Sequence, residues 1–283
     1  MGIDRLFQAP RGGGRIAAGQ RKVTRRPVKL ATWNVNSVRA REERLLRWLA
    51  SSRPDIVCLQ ELKVTEEAFP FEPLRAAGYH AAVHGQRTYN GVAILSREEP
   101  SEVERGFGDG GDESQARLVA ARVGGVHVVC AYVPNGGEVG SEKWAYKLDW
   151  LRRLRAWLDR RFQRSDLVAV AGDFNVAPEP RDVCDPPAWE TTVLFHPETK
   201  RALSEVTGWG LVDAFRLHHE GPGLYSWWDY RRLAFPRNLG LRIDHVFLSE
   251  PLARKCTGAS IERNERKGKQ PSDHAPVVVE LEV

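Results

Sequence analysis

The amino-acid sequence predicts one α/β domain built on mixed sheets, and three observations carry that prediction. Short apolar runs bounded by turn residues recur along the chain, as expected of strands buried on both faces. Two pairs of these runs are close enough in sequence to be hairpins, so the sheets are not purely parallel. Between them lies a long stretch in which Trp144, Leu148, Leu151, Leu154, Leu158 and Phe162 recur every three or four positions, the spacing of an amphipathic helix.

In chain order, residues 29–35 (KLATWNV) read as the first strand, which carries Asn34 near its end. Residues 41–51 follow with Leu45, Leu46 and Leu49 at helical spacing, and Pro54 ends that helix. Residues 55–60 (DIVCLQ) form a second buried strand that leads into Glu61. Residues 78–84 and 90–96 are paired strands joined by a polar turn. Residues 118–123 and 126–133 flank Gly124-Gly125, the strongest hairpin signal in the chain. The turn Pro134-Asn135-Gly136-Gly137 then leads into the long helix. Residues 167–176 (LVAVAGDFNV) follow it as the central strand, apolar without a break from Leu167 to Ala171. The stretch 178–197 holds Pro178, Pro180, Pro186, Pro187 and Pro197 and predicts a long surface loop. Short helices are expected at 200–206 and 212–217, and two further buried strands at 243–249 and 275–281.

Composition narrows the class. With 42% apolar and 28% charged residues the chain has the make-up of a soluble globular protein, and no run approaches the ~18 apolar residues of a membrane span. The net charge of +5 is unevenly spread. Eight of the 42 Lys/Arg but only one of the 37 Asp/Glu fall in residues 1–29, which leaves the rest of the chain slightly acidic. Any nucleic-acid surface on the folded part must therefore be a local patch. Residues 1–28, with RGGGR and RKVTRR, read as a basic, disordered extension, and residues 29–283 as a single domain. Cys58, Cys130, Cys184 and Cys256 have no metal-site spacing and read as reduced residues of a cytoplasmic protein without a secretion signal.

Several strand ends carry the same kind of cargo: Asn34, Glu61, Tyr132 with Asn135, Asp173 with Asn175, Asp244-His245, and Asp273-His274 in the turn PSDHAP. Two residues apart on extended backbone, Asp173 and Asn175 point the same way. Each group alone has an ordinary explanation, since Asn and Asp end strands and a lone histidine is usually structural. Together, carboxylates, amides and histidine without clustered thiols suit a hard metal ion and a phosphoester. The residues point to a metal-dependent phosphoesterase and leave its substrate open.

The motifs TWNVNSVRAR (32–41), LQELK (59–63), NGVAILS (90–96), YVPNG (132–136), GDFN (172–175), WGLVDAFR (209–216), YSWWDYR (225–231), LRIDH (241–245) and PSDHAPV (271–277) occur in this order. In them the chain resembles the exonuclease III class of AP endonucleases over residues 29–283. GDFN and SDHAP alone mark only the wider superfamily of nucleases and phosphatases; WGLVDAFR, SWWDYR and LRIDH are more specific to the abasic-site branch. The resemblance implies a four-layer sandwich, with two mixed β-sheets packed face to face and flanked by helices. It implies a nuclease dependent on Mg²⁺ (or Mn²⁺) that cuts duplex DNA 5′ to abasic sites, with 3′→5′ exonuclease or 3′-end processing, acting as a monomer without a membrane.

By the same resemblance Glu61 matches the metal-binding glutamate, with Asn36 and Asp273 near the metal. Asp173 matches the residue that activates or orients the attacking water, and Asn175 the amide that positions it. Tyr132, Asn34 and Asn135 match phosphate-contacting groups, and His274 with Asp244 the couple that binds the scissile phosphate. Trp227, Leu241 and Ile243 would form an apolar pocket for a baseless deoxyribose, too small for a normal nucleotide. Arg231, Arg232, Arg237 and Arg242 have no acid between Tyr230 and Arg242 and supply the expected basic patch, with Arg231 and Arg242 as DNA contacts. The alternatives are a phosphatase of the same fold and a catalytically weak DNA-binding relative.

Overall fold

The chain folds in a computed structural model that describes Met1 and residues 26–283. The expectation for the basic extension falls mainly on residues outside the described ones. The described residues contact the domain slightly before residue 29: Arg26 pairs with Asp55 at 2.6 Å and the first strand starts at Val28.

Twelve strands form two sheets. The first contains β1 (Val28–Asn34), β2 (Ile56–Gln60), β3 (His80–His84), β4 (Val92–Ser96), β11 (Cys256–Ile261) and β12 (Val277–Leu281), in the order β11-β12-β1-β2-β4-β3. The second contains β5 (Ser101–Arg105), β6 (Leu118–Val123), β7 (Val126–Tyr132), β8 (Val168–Asp173), β9 (Leu211–Asp213) and β10 (Asp244–Ser249), in the order β5-β6-β7-β8-β10-β9. Each sheet has one parallel pair at its centre, β1–β2 and β7–β8, and antiparallel pairs elsewhere. A parallel pair needs a crossover. Helix α1 (Glu42–Ser52) supplies the first and α3 (Glu142–Arg161) the second. Arg53, left-handed at φ 50°, closes α1 before Pro54, and the Ser141 hydroxyl accepts from Trp144 N–H to start α3.

Side-chain alternation along the central strands builds four layers. Leu30, Ile56, Cys58, Val128, Cys130, Ala169, Ala171 and Val246 face the space between the sheets. Their neighbours in sequence face outward: Ala31, Trp33 and Val57 pack on Leu45, Trp48 and Leu49 of α1, and Val129, Val168 and Val170 on Trp150, Leu151 and Leu154 of α3. The expected four-layer sandwich is thus present. Asn34, Gln60, Tyr132, Asp173 and Asp244 have the parity of the inward set. The polar groups are simply where the apolar rows between the sheets stop.

Some elements differ from expectation. Residues 212–217 are not a helix: Leu211–Asp213 is an edge strand on β10, and the Asp213 carboxylate then accepts from the N–H groups of Phe215 and Arg216 to turn the chain. Edge strands β5 and β11 and the short α2 (Phe71–Ala76) are too polar or too short to show an apolar period. The proline-rich loop contains a 3₁₀ turn at Pro180–Asp182 and α4 (Pro186–Trp189), and α5 (Pro197–Thr207) starts at its proline. The last short helix, α6 (Glu250–Ala253), leads into β11. Among the described residues no helix is long and apolar enough to cross a membrane.

Candidate active site

Strand register brings the site together. Tyr132, Asp173 and Asp244 lie side by side across β7, β8 and β10, and Asn34 lies beside Gln60 across β1 and β2 at the same end of the sandwich. Residues that follow these strands turn sharply: Asn36, Glu61 and Asn175 have φ of 46°, 55° and 50°. Left-handed backbone is costly for residues with a side chain, and it clusters here where chains must fold back over the sheet end.

Asn34 bridges the two sheets. Its oxygen accepts from the Asn36 N–H at 3.0 Å, so its amide nitrogen is free to donate to Glu61 at 2.8 Å and Asp173 at 3.0 Å. The Tyr132 hydroxyl donates to the same Glu61 oxygen at 2.9 Å, and Lys63 pairs with the other at 2.9 Å. The Asp173 carboxylate also accepts the Asn175 N–H at 2.9 Å, and the Asn175 side-chain oxygen accepts from Asn135 at 3.1 Å. Opposite it, His274 gives Nδ1 to Asp244 at 2.8 Å and turns Nε2 toward Asp173, 3.8 Å away. Ser226 donates to Asp244 at 2.6 Å and fixes it in turn.

These contacts set the charges. Burial pushes the Asp173 carboxyl well above the ordinary range, and Asp244 adds to this against the pull of His274 and Asn34. Burial alone would neutralise His274, but Asp244 and then Asp173 outweigh it, so the imidazole is held as a cation. Glu61 is likewise buried, yet Lys63 and Asn34 keep it below the ordinary carboxylate range. Burial and Glu61 raise Tyr132, which stays a phenol and a donor.

Glu61, Asp173 and His274 offer ligand atoms within 4.8 Å of one another and form a group that could hold a metal ion. A protonated His274 has no lone pair to give, which leaves two hard carboxylates, the donor chemistry of Mg²⁺ or Mn²⁺. Asp273 stands apart from that group. One of its oxygens accepts from Trp227 Nε1 at 3.1 Å and the other from Asn36 Nδ2 at 3.0 Å, while the Asn36 oxygen accepts from Lys63 at 2.5 Å. These two residues thus brace Lys63 and Trp227 beside the carboxylates.

Trp227, Leu241 and Ile243 share one apolar cluster, with Trp227 and Leu241 joined by paired backbone hydrogen bonds. Leu241 and Ile243 are fully buried, whereas Trp227 is part-exposed at the wall of a cleft of about 580 Å³. The other aromatic wall is Trp189 of the proline-rich loop, whose ring meets Trp227 edge-on at 6.1 Å. Trp228 points the opposite way and is buried. Arg231 and Arg232 line the same cleft, and Arg231 is well exposed beside Asp229.

Arg242 corrects the expected basic patch. It is completely buried, its Nε donates to Asp182 at 2.7 Å and its guanidinium pairs with Asp213 at 2.8 Å, so it cannot touch DNA. Sequence spacing gave no hint, because both acids lie far from it along the chain. The same network holds His245, whose Nδ1 faces Arg242 at 3.0 Å and whose Nε2 faces the Val176 carbonyl at 2.8 Å. Burial, and next Arg242, depress His245 to about 4, so it is neutral in the fold. The unfolded chain binds this proton first, and stability should therefore fall as pH drops from about 6.5 toward 4. Thermal melts of His245→Gln should show a shallower acid-side slope than the parent; equal slopes would exclude His245 as the source.

Two supporting residues were not legible beforehand. Trp189 sits in a loop without period. Lys147 lies on the buried face of α3, one turn from Trp144 and Leu151, and a charge on an apolar face is the signal that would have found it. Burial lowers Lys147 to about 7, with Asp173 pulling the other way.

A buried carboxylate with a raised pKa faces a histidine cation, beside a second carboxylate fit for a hard cation. Such a centre at the end of a two-sheet sandwich defines the metal-assisted phosphoester hydrolases. The chain belongs to the endonuclease/exonuclease/phosphatase family, whose model matches residues 31–274. It is 34% identical to the exodeoxyribonuclease III of Haemophilus influenzae over 266 residues, covering 90% of this chain and 100% of the relative. Among solved structures, an AP endonuclease from Archaeoglobus fulgidus superposes with a TM-score of 0.88 at 39% identity, covering 90% of this chain and 100% of that one. The 3′–5′ exonuclease NExo of Neisseria meningitidis does so with a TM-score of 0.88 at 38% identity and the same coverage.

Proposed function

We propose that this chain is a DNA repair nuclease that hydrolyses the phosphodiester 5′ to an abasic site and leaves a 3′-hydroxyl, with 3′→5′ exonuclease or 3′-end processing as a companion activity. The observation that carries this reading is Asp173, a buried carboxylate held by Asn34 and Asn175 and facing the His274–Asp244 pair. The names of its relatives support DNA as the substrate.

In this reading Asp173 accepts the proton of the attacking water, and its raised pKa suits a base that works near neutral pH. Asn175 orients that water. The His274 cation binds a phosphoryl oxygen through Nε2, with Asn34, Tyr132 and Asn135 as further donors. Glu61 would hold Mg²⁺ or Mn²⁺, with Asn36 and Asp273 alongside. When bound, such an ion supplies charge stabilisation to the phosphoryl group. Arg231 and Arg232 hold the DNA backbone near the cleft. Trp227 receives the deoxyribose there, against the wall backed by Leu241 and Ile243. The protein would act on duplex DNA as a monomer in the cytoplasm.

The test is a duplex with one central abasic analogue, labelled at the 5′ end, with Mg²⁺ or with EDTA. A single incision just 5′ of the lesion, only with metal, is expected. Release of inorganic phosphate from inositol phosphates, with the duplex left intact, would favour the phosphatase instead. Trp227→Ala should lower incision at the abasic site by about 10-fold or more while shortening of a recessed 3′ end falls less, since an apolar contact of this size contributes about 1–3 kcal/mol. Equal losses on both substrates would reduce Trp227 to a packing residue.

A further inference from the structure

The structure assigns Lys147 a positioning role: by tying together three backbone carbonyls behind the active site, it fixes the amide of Asn175 for the hydrolysis proposed above. The inference rests on that reading of the site and adds a residue to it.

Lys147 is buried to 0% exposure within α3. Its ammonium donates to the carbonyls of Asn175 at 2.7 Å, Val193 at 2.8 Å and Asn135 at 3.0 Å. An ammonium has three N–H donors and all are used. A neutral amine has only two, so the three carbonyls favour the charged form against the burial that opposes it. No carboxylate pairs with it among the described residues, which makes this a tie between backbone segments rather than a salt bridge.

The three segments belong to no common element. Asn135 follows β7, Asn175 follows β8, and Val193 lies in the proline-rich loop that also carries Trp189. Burying an ammonium costs several kcal/mol, and an apolar side chain of similar length would fill the space without that cost. The charge is retained where it does something packing cannot, namely hold carbonyls that would otherwise face an apolar helix.

What it holds is the part of the site with least margin. Asn175 sits at φ 50°. Its N–H binds Asp173, its side-chain amide binds the Val133 carbonyl at 3.0 Å, and its side-chain oxygen accepts from Asn135. Lys147 therefore anchors both members of the Asn135–Asn175 pair from behind. The turn between them and α3 is shaped around the lysine: Gly136 has φ 97°, and a Cβ there would lie 2.9 Å from Lys147 Cδ.

Steady-state kinetics of the full chain on the abasic duplex with Mg²⁺ tests this, using Lys147→Met, Asn175→Ala and the double variant, each assayed well below its own Tm. Lys147→Met should lower kcat on the order of 10²-fold, as misplacement by about 1 Å does, with KM for DNA little changed. In the Asn175→Ala background the same substitution should cost less than about 3-fold, because the group it positions is gone. Lys147→Gln, which keeps two donors, should recover part of the loss and serves alone if Lys147→Met does not fold. An unchanged kcat in Lys147→Met overturns the inference, as does an equal loss in both backgrounds, which would mark a purely structural residue. Failure of both Lys147 variants to fold confines the residue to stability and overturns it too. Parent protein that leaves the duplex intact overturns the proposed function itself.

Discussion

Replacement of Asp173 by asparagine is expected to lower kcat on an abasic duplex by about 10³-fold or more, within the range by which general-base and charge-positioning groups act. The carboxylate already accepts from Asn34 and from Asn175, through both its backbone and its side chain. An asparagine there accepts at one end only and cannot take a proton from water. Its own N–H₂ would face donors, so the amide pair beside it should shift as well. DNA affinity should persist or rise, because a buried negative charge near a phosphate is removed while the His274 cation stays. Single-turnover cleavage combined with fluorescence anisotropy separates the two quantities. Turnover near that of the parent would take Asp173 out of the chemistry and leave Glu61 as the remaining carboxylate of the centre.

Replacement of Asp182 by alanine should produce the largest loss of stability. Asp182 is completely buried and accepts from Arg242 at 2.7 Å and from Arg216. Its second oxygen caps the turn at Glu179 N–H, 3.1 Å away. Burial alone would raise this carboxyl, but Arg242 and Arg216 hold it below the ordinary carboxylate range. Its stabilisation is therefore present above the unfolded value near 4 and lost as pH falls further. Removing one partner of a buried pair strands the other, at a cost of about 3–5 kcal/mol. For a domain of this size that lowers Tm by roughly 10 °C. Calorimetry at pH 7 checks it, and a shift under about 2 °C would show that Asp213 alone satisfies Arg242. Since Arg242 lies between Leu241 and Ile243, some loss of cleavage should accompany the loss of stability.

Local pattern specified a good deal of this protein. The central strands were legible because burial on both faces demands unbroken apolar runs, as at residues 167–171, and α3 because its apolar residues follow the helical period. The polar groups at strand ends were visible as residue types, and their order along the chain carried the resemblance to one nuclease class. Edge strands β5, β9 and β11 escaped, because one solvated face and short length leave no period to read. Tertiary structure decided what each polar group does. Arg242 looked like part of a basic patch until Asp182 and Asp213, distant in sequence, enclosed it. Lys147 is one of several charges on a long helix, and only the three carbonyls that folding brings onto it set its role. The reason is physical: hydrophobic period is a property of neighbours in the chain, whereas the charge and role of a buried polar group are set by partners that only folding brings within 3 Å.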